Sequence, residues 1–305
     1  MSACIKPGCL YVVATPIGEV DDLSPRAQKV LAGVDQVAAE GTRTSARLFE
    51  QLGLRTQLTA MHDHNEAHRV PGLIARLQAG ETLALVSDAG TPLISDPGYR
   101  LIAAAHDAGV TVVPVPGPCA AITALSAAGL ASDRFHFEGF FPSRQGPRVA
   151  RLKQLAETTP TLILYEAPHR IVETLEDLVA TFGAERLATL ARELTKTFET
   201  IRRAPLSELL AWVVADSNQQ RGEIVLVIAG APEREATETR ALSAESILRV
   251  LVRELPVKQA AGLAAEMMGL KRNALYDMAL ALKLANESPC VRGPAPLSCA
   301  PESAG

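Results

Sequence analysis

The feature that most constrains the fold is a short apolar run leading into a loop dense in Gly and Pro. Residues 83–86 are all apolar, as in a strand buried on both faces of a parallel sheet. The eleven residues 88–98 then hold two Gly, two Pro and two Asp. Gly lets a ligand approach the main chain closely, and each Pro fixes its own backbone. A loop stiffened in this way after a buried strand indicates a small-molecule site in an open α/β sheet; a purely structural loop is the alternative.

Five further segments accompany this one, most of them a strand followed by a Pro- or Gly-rich connection. In this order, the six segments resemble bacterial methyltransferases of the tetrapyrrole methylase superfamily. The members they resemble methylate a cytidine ribose 2′-hydroxyl in small-subunit (16S) ribosomal RNA. The resemblance covers roughly residues 9–285. The five segments are residues 10–18, 112–118 with a small-residue helix at 119–128, 161–170, 191–196 and 221–228.

Apolar runs alternate with amphipathic stretches, which predicts βαβ units, largely parallel sheets and an α/β fold. We expect two α/β domains, 1–115 and 119–231, with the second sheet more mixed and the strand order open. The resemblance implies the same tetrapyrrole methylase architecture, with the cofactor cleft between the domains. Strands are predicted at 10–14, 36–39, 83–86, 111–115, 136–140, 161–165, 187–191 and 224–229, and helices at 24–33, 44–52, 69–79, 98–108, 118–128, 148–156, 169–181 and 205–215.

A charged linker is predicted at residues 231–240, followed by three helices. Ser243 can cap the first helix, which Pro256 would end. The other two are predicted at 258–268 and 272–283.

These helices form a small C-terminal module, residues 243–285, that resembles a helix-turn-helix. In one interpretation it contacts RNA or a partner through Lys271 and Arg272. In the other it is a packing appendage. Residues 286–305, rich in Pro, Ser and Ala, are expected to form a disordered tail.

The net charge is −4, which is unusual for a protein that binds RNA. Because salt screens distant charges, local basic clusters matter more than the total. One cluster, which includes Arg144 and Arg148, flanks an aromatic-rich segment, and an ordinary solvated face is the alternative interpretation. Aromatic residues make up only 4% of the chain, which argues against a platform for single strands built on the sheet.

Five scattered cysteines without a CxxC pair favour free thiols in a reducing cytoplasm. The sequence has no apolar run long enough to span a membrane and no signal-peptide core, so we expect a cytoplasmic protein. The resemblance further implies a homodimer that acts on 16S ribosomal RNA within the 30S subunit.

The cofactor implied by the resemblance is S-adenosylmethionine. Its sulfonium needs no acid to become a leaving group. The site is therefore expected to be formed mostly by the shape of the backbone, with few catalytic side chains. Asp96 could accept hydrogen bonds from the ligand or instead cap the next helix. Thr91 stands where other superfamily members carry Asp in a Gly-Asp-Pro motif, which favours the RNA branch. The cofactor-binding residues implied are Pro16, Gly90, Thr91, Pro92, Ile94, Asp96, Pro116, Gly117, Tyr165, Pro205 and Leu206.

On the acceptor side, we expect Glu193 and Lys196 to act on the hydroxyl, which is a weak nucleophile. An ion-paired strand end without a catalytic role is the alternative. Glu40 also follows a predicted strand and is expected to face the cleft. His62, His64 and His68 lack the partners of a metal shell, so no metal site is predicted. The expected RNA contacts are Arg43, Arg144, Arg148, Arg192, Lys271 and Arg272.

Two other functions remain open. A methyltransferase of the same fold could act on a tetrapyrrole or a modified protein side chain, which predicts a cleft without basic flanks and no C-terminal helices. A non-enzymatic nucleic-acid-binding protein would leave the Gly/Pro loops unexplained. A nicotinamide-binding enzyme is disfavoured because no Gly-x-Gly-x-x-Gly follows the first strand.

Overall fold

The structure, a computed structural model, describes residues 5–232 and 236–287. Its contacts divide the chain into two compact units, residues 1–231 and 232–305. Among the residues so described, none of the helices is both long and apolar enough to cross a membrane.

The first sheet of the larger unit is entirely parallel, with five strands in the order β3-β2-β4-β1-β5. The central strand β4 and its neighbour β1 are uniformly apolar and almost fully buried, as predicted for residues 83–86. Because β4 and β1 are adjacent and parallel, the loops that follow them start side by side at the carboxyl ends of the strands. The strands are β1 (Cys9–Val13), β2 (Gln36–Ala39), β3 (Gln57–Ala60), β4 (Leu83–Val86) and β5 (Thr111–Val115).

Four helices cover the two faces of this sheet and bury separate apolar clusters against it. The first helix begins as its sequence indicates, because Ser24 Oγ accepts a hydrogen bond from Ala27 N at 3.1 Å and Pro25 occupies the first helical position. The helices are α1 (Pro25–Gly33), α2 (Thr42–Gln51), α3 (Glu66–Gln78) and α4 (Tyr99–Asp107).

The second sheet is mixed, as expected, with the order β6-β7-β10-β8-β9 and a parallel pairing only between β6 and β7. Helix α5 packs on one face, and α6, α7 and α8 cover the other. The strands are β6 (Phe135–Phe140), β7 (Thr161–Glu166), β8 (Leu187–Arg192), β9 (Thr200–Pro205) and β10 (Ile224–Ile228). The helices are α5 (Ala120–Ala128), α6 (Gln145–Leu155), α7 (Ile171–Phe182) and α8 (Leu206–Ala215).

Two strands, β3 and β9, were not predicted from the sequence. Both lie at sheet edges, and their residues are largely half-exposed or exposed. An edge strand needs no continuous apolar run, so the signal that identified the central strands is missing. Pro205 consequently belongs to β9, whereas the sequence placed it in a helix.

The C-terminal unit contains three helices around a small apolar core that includes Leu248, Ala261 and Leu275. The predicted linker is too long, because α9 begins at Ala236 and not near Ser243. No Pro or Gly interrupts the chain between those two positions, so the helix extends back through them. The predicted linker residues 233–235 and tail residues 288–305 lie outside the described residues. The helices are α9 (Ala236–Glu254), α10 (Val257–Met268) and α11 (Arg272–Glu287).

Candidate functional site

A cavity of about 480 Å³ lies in the larger unit, where loops from the first sheet face strand ends of the second. It is the natural candidate for a small-molecule site, because ligands of open α/β sheets bind beyond the carboxyl ends of the strands. Its lining residues are Ile17, Glu40, Asp88, Ala89, Gly90, Thr91, Ile94, Ser95, Asp96, Ala120, Phe140, Tyr165, Glu166, Ala167, Pro168, Gly222, Glu223, Ile224 and Val225.

The loop between β4 and α4 forms one wall of the cavity. Its backbone pairs with the loop after β1, since Thr15 N donates to Gly90 O at 2.9 Å and Gly90 N donates to Thr15 O at 3.0 Å. Thr91 Oγ1 donates to Pro118 O at 2.8 Å, which ties the loop to the connection before α5. Gly90 has φ +83°, and a Cβ there would lie 3.3 Å from Ile17 Cγ2. A side chain at this position would therefore be strained and would crowd Ile17, so Gly90 lets the two loops pack closely beside the cavity.

Carboxylates concentrate where this loop meets the end of β2. Burial raises the pKa of Asp96 to about 6, although a hydrogen bond from Ser87 opposes the shift. The nearby charges of Glu40, Asp88 and Asp63 raise this pKa further. Burial likewise raises the pKa of Glu40. A cationic ligand would stabilise the ionised forms, so this edge suits a sulfonium and an amino group.

Gly41, the residue after Glu40, helps to position the carboxylate of Asp88. Gly41 N donates to Asp88 Oδ1 at 2.8 Å. A Cβ on Gly41 would approach the same oxygen to 2.5 Å, so only Gly fits here without displacing the carboxylate.

Tyr165 contributes an aromatic wall from β7. Its hydroxyl oxygen accepts a hydrogen bond from Ala121 N at 3.1 Å, and burial raises the pKa of the phenol. Tyr165 therefore stays protonated and offers an uncharged surface to a ligand. Beside it, Glu166 is buried and holds the loop after β7, accepting hydrogen bonds from Ala167 N at 2.7 Å and Thr174 Oγ1 at 2.6 Å.

Glu193 and Lys196 lie at the rim of the cavity, next to the lining residue Glu223. Glu193 Oε1 accepts hydrogen bonds from Lys196 Nζ at 3.0 Å and Glu223 N at 2.9 Å. Lys196 Nζ also lies 3.2 Å from Glu223 Oε2.

This ion-paired cluster fixes the charge of both side chains. Burial by itself raises the pKa of Glu193, but the bonds from Glu223 N and Lys196 outweigh it and the pKa is lowered. Burial by itself lowers the pKa of Lys196, but the two carboxylates outweigh it and the pKa is raised. At neutral pH the cluster therefore presents a protonated amine and an ionised carboxylate. Lys196 can donate a hydrogen bond, and it is not a proton acceptor.

The structure brings five of the predicted cofactor residues into the cavity lining, namely Gly90, Thr91, Ile94, Asp96 and Tyr165. Pro16, Pro92, Pro116 and Gly117 lie on the loops around the cavity without lining it.

Pro205 and Leu206 lie elsewhere, and the expectation of a cofactor contact does not fit their placement. Leu206 is fully buried in the core between the second sheet and α6, α7 and α8. Pro205 pairs with Leu187, at the opposite end of β8 from Arg192 and the cavity rim.

Two of the predicted RNA contacts are structural residues. Arg148 is 1% exposed and forms an ion pair with Asp177 at 2.7 Å, so its guanidinium has no surface to offer a phosphate. Arg192 is buried as well and donates to Gln219 Oε1 at 3.1 Å and to Phe198 O at 3.0 Å. These two expectations are wrong because a buried, fully bonded guanidinium cannot reach RNA.

The other four predicted RNA contacts, Arg43, Arg144, Lys271 and Arg272, are exposed. Arg43 lies in the first turn of α2, three residues from Glu40 of the cavity, and Arg144 immediately precedes α6. Lys271 and Arg272 belong to the C-terminal unit, at the start of α11.

The histidines near the end of β3 do not assemble into a metal site. Within residues 5–232 and 236–287, no group of three or more His, Cys, Asp or Glu side chains is arranged to hold a metal ion. His62 Nε2 lies 3.1 Å from Asn65 Nδ2, and the rings of His62 and His64 meet edge to face at 6.0 Å.

Asp88, Glu223 and Phe140 line the cavity but were missed as site residues. Asp88 follows a buried strand as Glu40 does, so the same signal could have identified it. Glu223 lies directly before β10 in the segment 221–228, one of the six on which the resemblance rests, and that membership is the signal that could have identified it.

Two family models match the chain. The one described as Tetrapyrrole (Corrin/Porphyrin) Methylases matches residues 9–210, which is more than half of the chain. The one described as RsmI C-terminal HTH domain matches residues 238–283. The match to the second model accounts for the three helices of the C-terminal unit.

Several solved structures share the fold of the larger unit. The methyltransferase CobJ superposes with a TM-score of 0.56 over 75% of this chain and 97% of its own, at 21% identity. Uroporphyrin-III-C-methyltransferase from Thermus thermophilus superposes with a TM-score of 0.52 over 73% of this chain and 94% of its own, at 22% identity. At these identities the likeness shows the fold alone.

Curated relatives are much more similar in sequence. Ribosomal RNA small subunit methyltransferase I of Pseudomonas aeruginosa is 57% identical over 276 residues, which cover 90% of this chain and 98% of the relative. The protein of that name from Escherichia coli O157:H7 is 52% identical, over 92% of this chain and 97% of its own length. The chain therefore belongs to the tetrapyrrole methylase family of methyltransferases and, within it, to the ribosomal RNA small subunit methyltransferase I group.

Proposed function

We propose that the protein transfers a methyl group from S-adenosylmethionine to the 2′-hydroxyl of a cytidine ribose in 16S ribosomal RNA. The relatives at 57% and 52% identity are named as small-subunit ribosomal RNA methyltransferases, and the chain spans nearly their whole length. The observation that carries the proposal is a cavity at the ends of the strands whose lining includes the carboxylates of Glu40, Asp88 and Asp96.

The charge of the cavity lining supports this choice of cofactor. Gly90, Thr91 and Ile94 lie on the loop that forms one wall, and Ile94 adds an apolar surface. The carboxylate of Asp96 would attract the cationic sulfonium and the amino group. When bound, S-adenosylmethionine supplies an electrophilic methyl group that needs no acid catalysis.

The residues of the chain would then orient the acceptor. Lys196 is held by Glu193 and Glu223 and carries a protonated amine, so it can donate a hydrogen bond to the ribose oxygen. Glu193 fixes the position of that amine. The hydroxyl proton would pass to solvent water as the bond from the ribose oxygen to the methyl carbon forms and the bond from that carbon to sulfur breaks. Orientation of this kind can lower a barrier by several kcal/mol when both reactants are bound.

The C-terminal module favours RNA over a tetrapyrrole or a protein side chain as the substrate. It matches a helix-turn-helix domain model, and Lys271 and Arg272 are exposed at the start of its last helix. We propose that it docks the ribosomal substrate, and that the protein acts in the cytoplasm as a homodimer.

The test is to incubate the protein with labelled S-adenosylmethionine and 30S particles from a strain that lacks the gene. We expect label at one cytidine ribose of 16S RNA, located by nuclease mapping, and no label on particles from the parental strain. Label on a base or on a ribosomal protein would contradict the proposal, and so would the absence of any label.

A further inference from the structure

One wall of the cavity is an aromatic ring whose orientation the strand pattern does not predict. Phe140, the last residue of β6, lines the cavity and is nevertheless 55% exposed. A large apolar side chain that stays this open beside a cavity has surface available for a ligand.

An irregularity in β6 turns this ring toward the cavity. Phe137 pairs with Ile163 and Phe140 pairs with Tyr165, so both rings lie on the sheet face shared by their two partners. In a regular strand, residues three positions apart point to opposite faces. The register shift between Phe137 and Gly139 adds one residue to β6 and thereby brings Phe140 onto the cavity face.

The irregularity is fixed on both sides. Gly139 has φ +64°, and a Cβ there would lie 2.9 Å from Ser95 Oγ, so β6 touches the loop between β4 and α4 at this point. The neighbouring Glu138 pairs with Arg151 through contacts of 2.8 to 3.1 Å. The orientation of Phe140 is therefore set before any ligand binds.

The ring is supported but its faces are not both covered. Phe140 and Tyr165 meet with centroids 5.6 Å apart and planes at 62°, and Tyr165 contacts Phe137 in a similar edge-to-face geometry at 5.0 Å. Because Phe140 is not stacked face to face in this cluster, and because it is more than half exposed, it can accept a flat partner.

We propose that Phe140 stacks on the base of the nucleotide whose ribose is methylated. This inference rests on the proposed function. Proteins hold unpaired RNA bases by stacking them on aromatic rings. The contact of Gly139 with Ser95 places Phe140 beside the loop that carries Ile94 and Asp96. A base stacked there brings its own ribose to that loop.

The experiment compares Phe140→Ala and Phe140→Leu with Phe140→Trp. The first two remove the aromatic face, and the third keeps it. Phe135→Ala is the matched control, because Phe135 is 40% exposed on the same strand and does not line the cavity. We measure KM for 30S particles, the single-turnover rate and, by calorimetry, the affinity for S-adenosylmethionine.

Loss of the aromatic face should raise KM for 30S particles by about 5- to 150-fold, the usual range for one base–aromatic stack. The affinity for S-adenosylmethionine should stay within about twofold, and Phe140→Trp and Phe135→Ala should resemble the parent. Unchanged KM in Phe140→Ala would overturn the inference. So would an equal loss of cofactor affinity, which would mean that the ring stacks on adenine instead.

A binding assay separates this inference from the proposed function. In Phe140→Trp, the new indole should be quenched by a cytidine-containing single-stranded RNA in the presence of S-adenosylhomocysteine, whereas parental Trp212 should not respond. If the parent leaves 30S particles unlabelled but the quenching occurs, only the proposed function fails. If particles are labelled and no quenching occurs, only the stacking inference fails.

Discussion

Two loops at the cavity hold non-glycine residues in the left-handed region, and they do so by different means. The loop between β4 and α4 contains Leu93 at φ +74° and Ser95 at φ +70°, and the loop after β8 contains Glu193 at φ +52° and Thr195 at φ +62°. Over residues 5–232 and 236–287, these four are the only non-glycine residues with positive φ. Such conformations cost roughly 1–3 kcal/mol each and cluster at functional sites.

Uncharged contacts hold the first loop, namely the backbone pairing of Thr15 with Gly90 and the bond from Thr91 to Pro118. Charged side chains hold the second, where Glu193 and Glu223 surround Lys196. Under the proposed function, we expect the first loop to bind the cofactor and the second, with its charged side chains, to act on the acceptor. The comparison predicts that changes in the two loops affect different steps.

The largest effect is expected for Gly90→Val in the first loop. Valine at φ +83° is strained, and its Cβ would crowd Ile17. We expect the affinity for S-adenosylmethionine to fall by at least about 100-fold in calorimetry, since a loop that moves to relieve roughly 1–3 kcal/mol of strain and the contact with Ile17 no longer fits the ligand. Gly109→Val is the control, because Gly109 has φ +69° and open space around it. Equal losses in both variants would mean that strain alone explains the result.

Changes in the second loop should instead slow methyl transfer. Lys196→Ala removes the amine, and Glu193→Gln removes the charge that positions it. Single-turnover rates should fall by about 10- to 100-fold, as expected for losing a hydrogen bond to a charged group. Calorimetric affinity for S-adenosylmethionine should change far less, and the exposed Lys153→Ala should behave like the parent. Rates within about threefold of the parent for both variants would identify the loop as structural.

Protonation of Asp96 gives the first loop its own pH dependence. Its pKa is raised to about 6 by burial and by the charges of Glu40, Asp88 and Asp63. Since a cationic ligand favours the ionised carboxylate, affinity for S-adenosylmethionine should increase several-fold between about pH 5 and pH 7. The raised pKa also means that the folded protein loses stability as pH rises from about 4, the ordinary pKa of Asp, to about 6, because ionising the buried carboxyl is unfavourable.

The variant Asp96→Asn tests both predictions, namely that the affinity for S-adenosylmethionine rises with pH and that the stability of the folded protein falls with pH. Its calorimetric affinity should be lower at pH 7 and should vary less with pH, and the remaining slope should reflect Glu40, whose pKa is also raised. Its melting temperature at pH 8 should equal or exceed that of the parent. If the affinity of Asp96→Asn varies with pH as that of the parent does, groups other than Asp96 cause the pH dependence.

The sequence predicted the first loop better than the second for a physical reason. A buried strand such as Leu83–Val86 is a continuous apolar run, so its end and the following loop are visible in the sequence. The surroundings of Lys196 depend on Glu223, which is 27 positions away, so no local pattern in the sequence links the two residues. Arg148 was misinterpreted similarly, because the residue that buries it, Asp177, lies 29 positions further on.

The same reasoning explains the aromatic wall. Aromatic content alone argued against a stacking surface, but one ring at the right place needs no unusual composition. The orientation of Phe140 depends on the register shift in β6, and a strand pattern read with a period of two assigns it to the opposite face.

The smallest effect is expected in the C-terminal unit, where Lys271 and Arg272 are exposed. The double change Lys271→Ala and Arg272→Ala should weaken binding of 30S particles by a few fold without altering affinity for S-adenosylmethionine. Each lost phosphate contact should also reduce the salt dependence by about 0.7–0.9 in the slope of log K against log salt. Filter binding between about 50 and 200 mM salt measures both quantities. Arg249→Ala is the control, because Arg249 pairs with Glu245 at 2.6 Å. A parallel shift with an unchanged slope would contradict phosphate contact, because counterion release depends on the number of phosphates engaged.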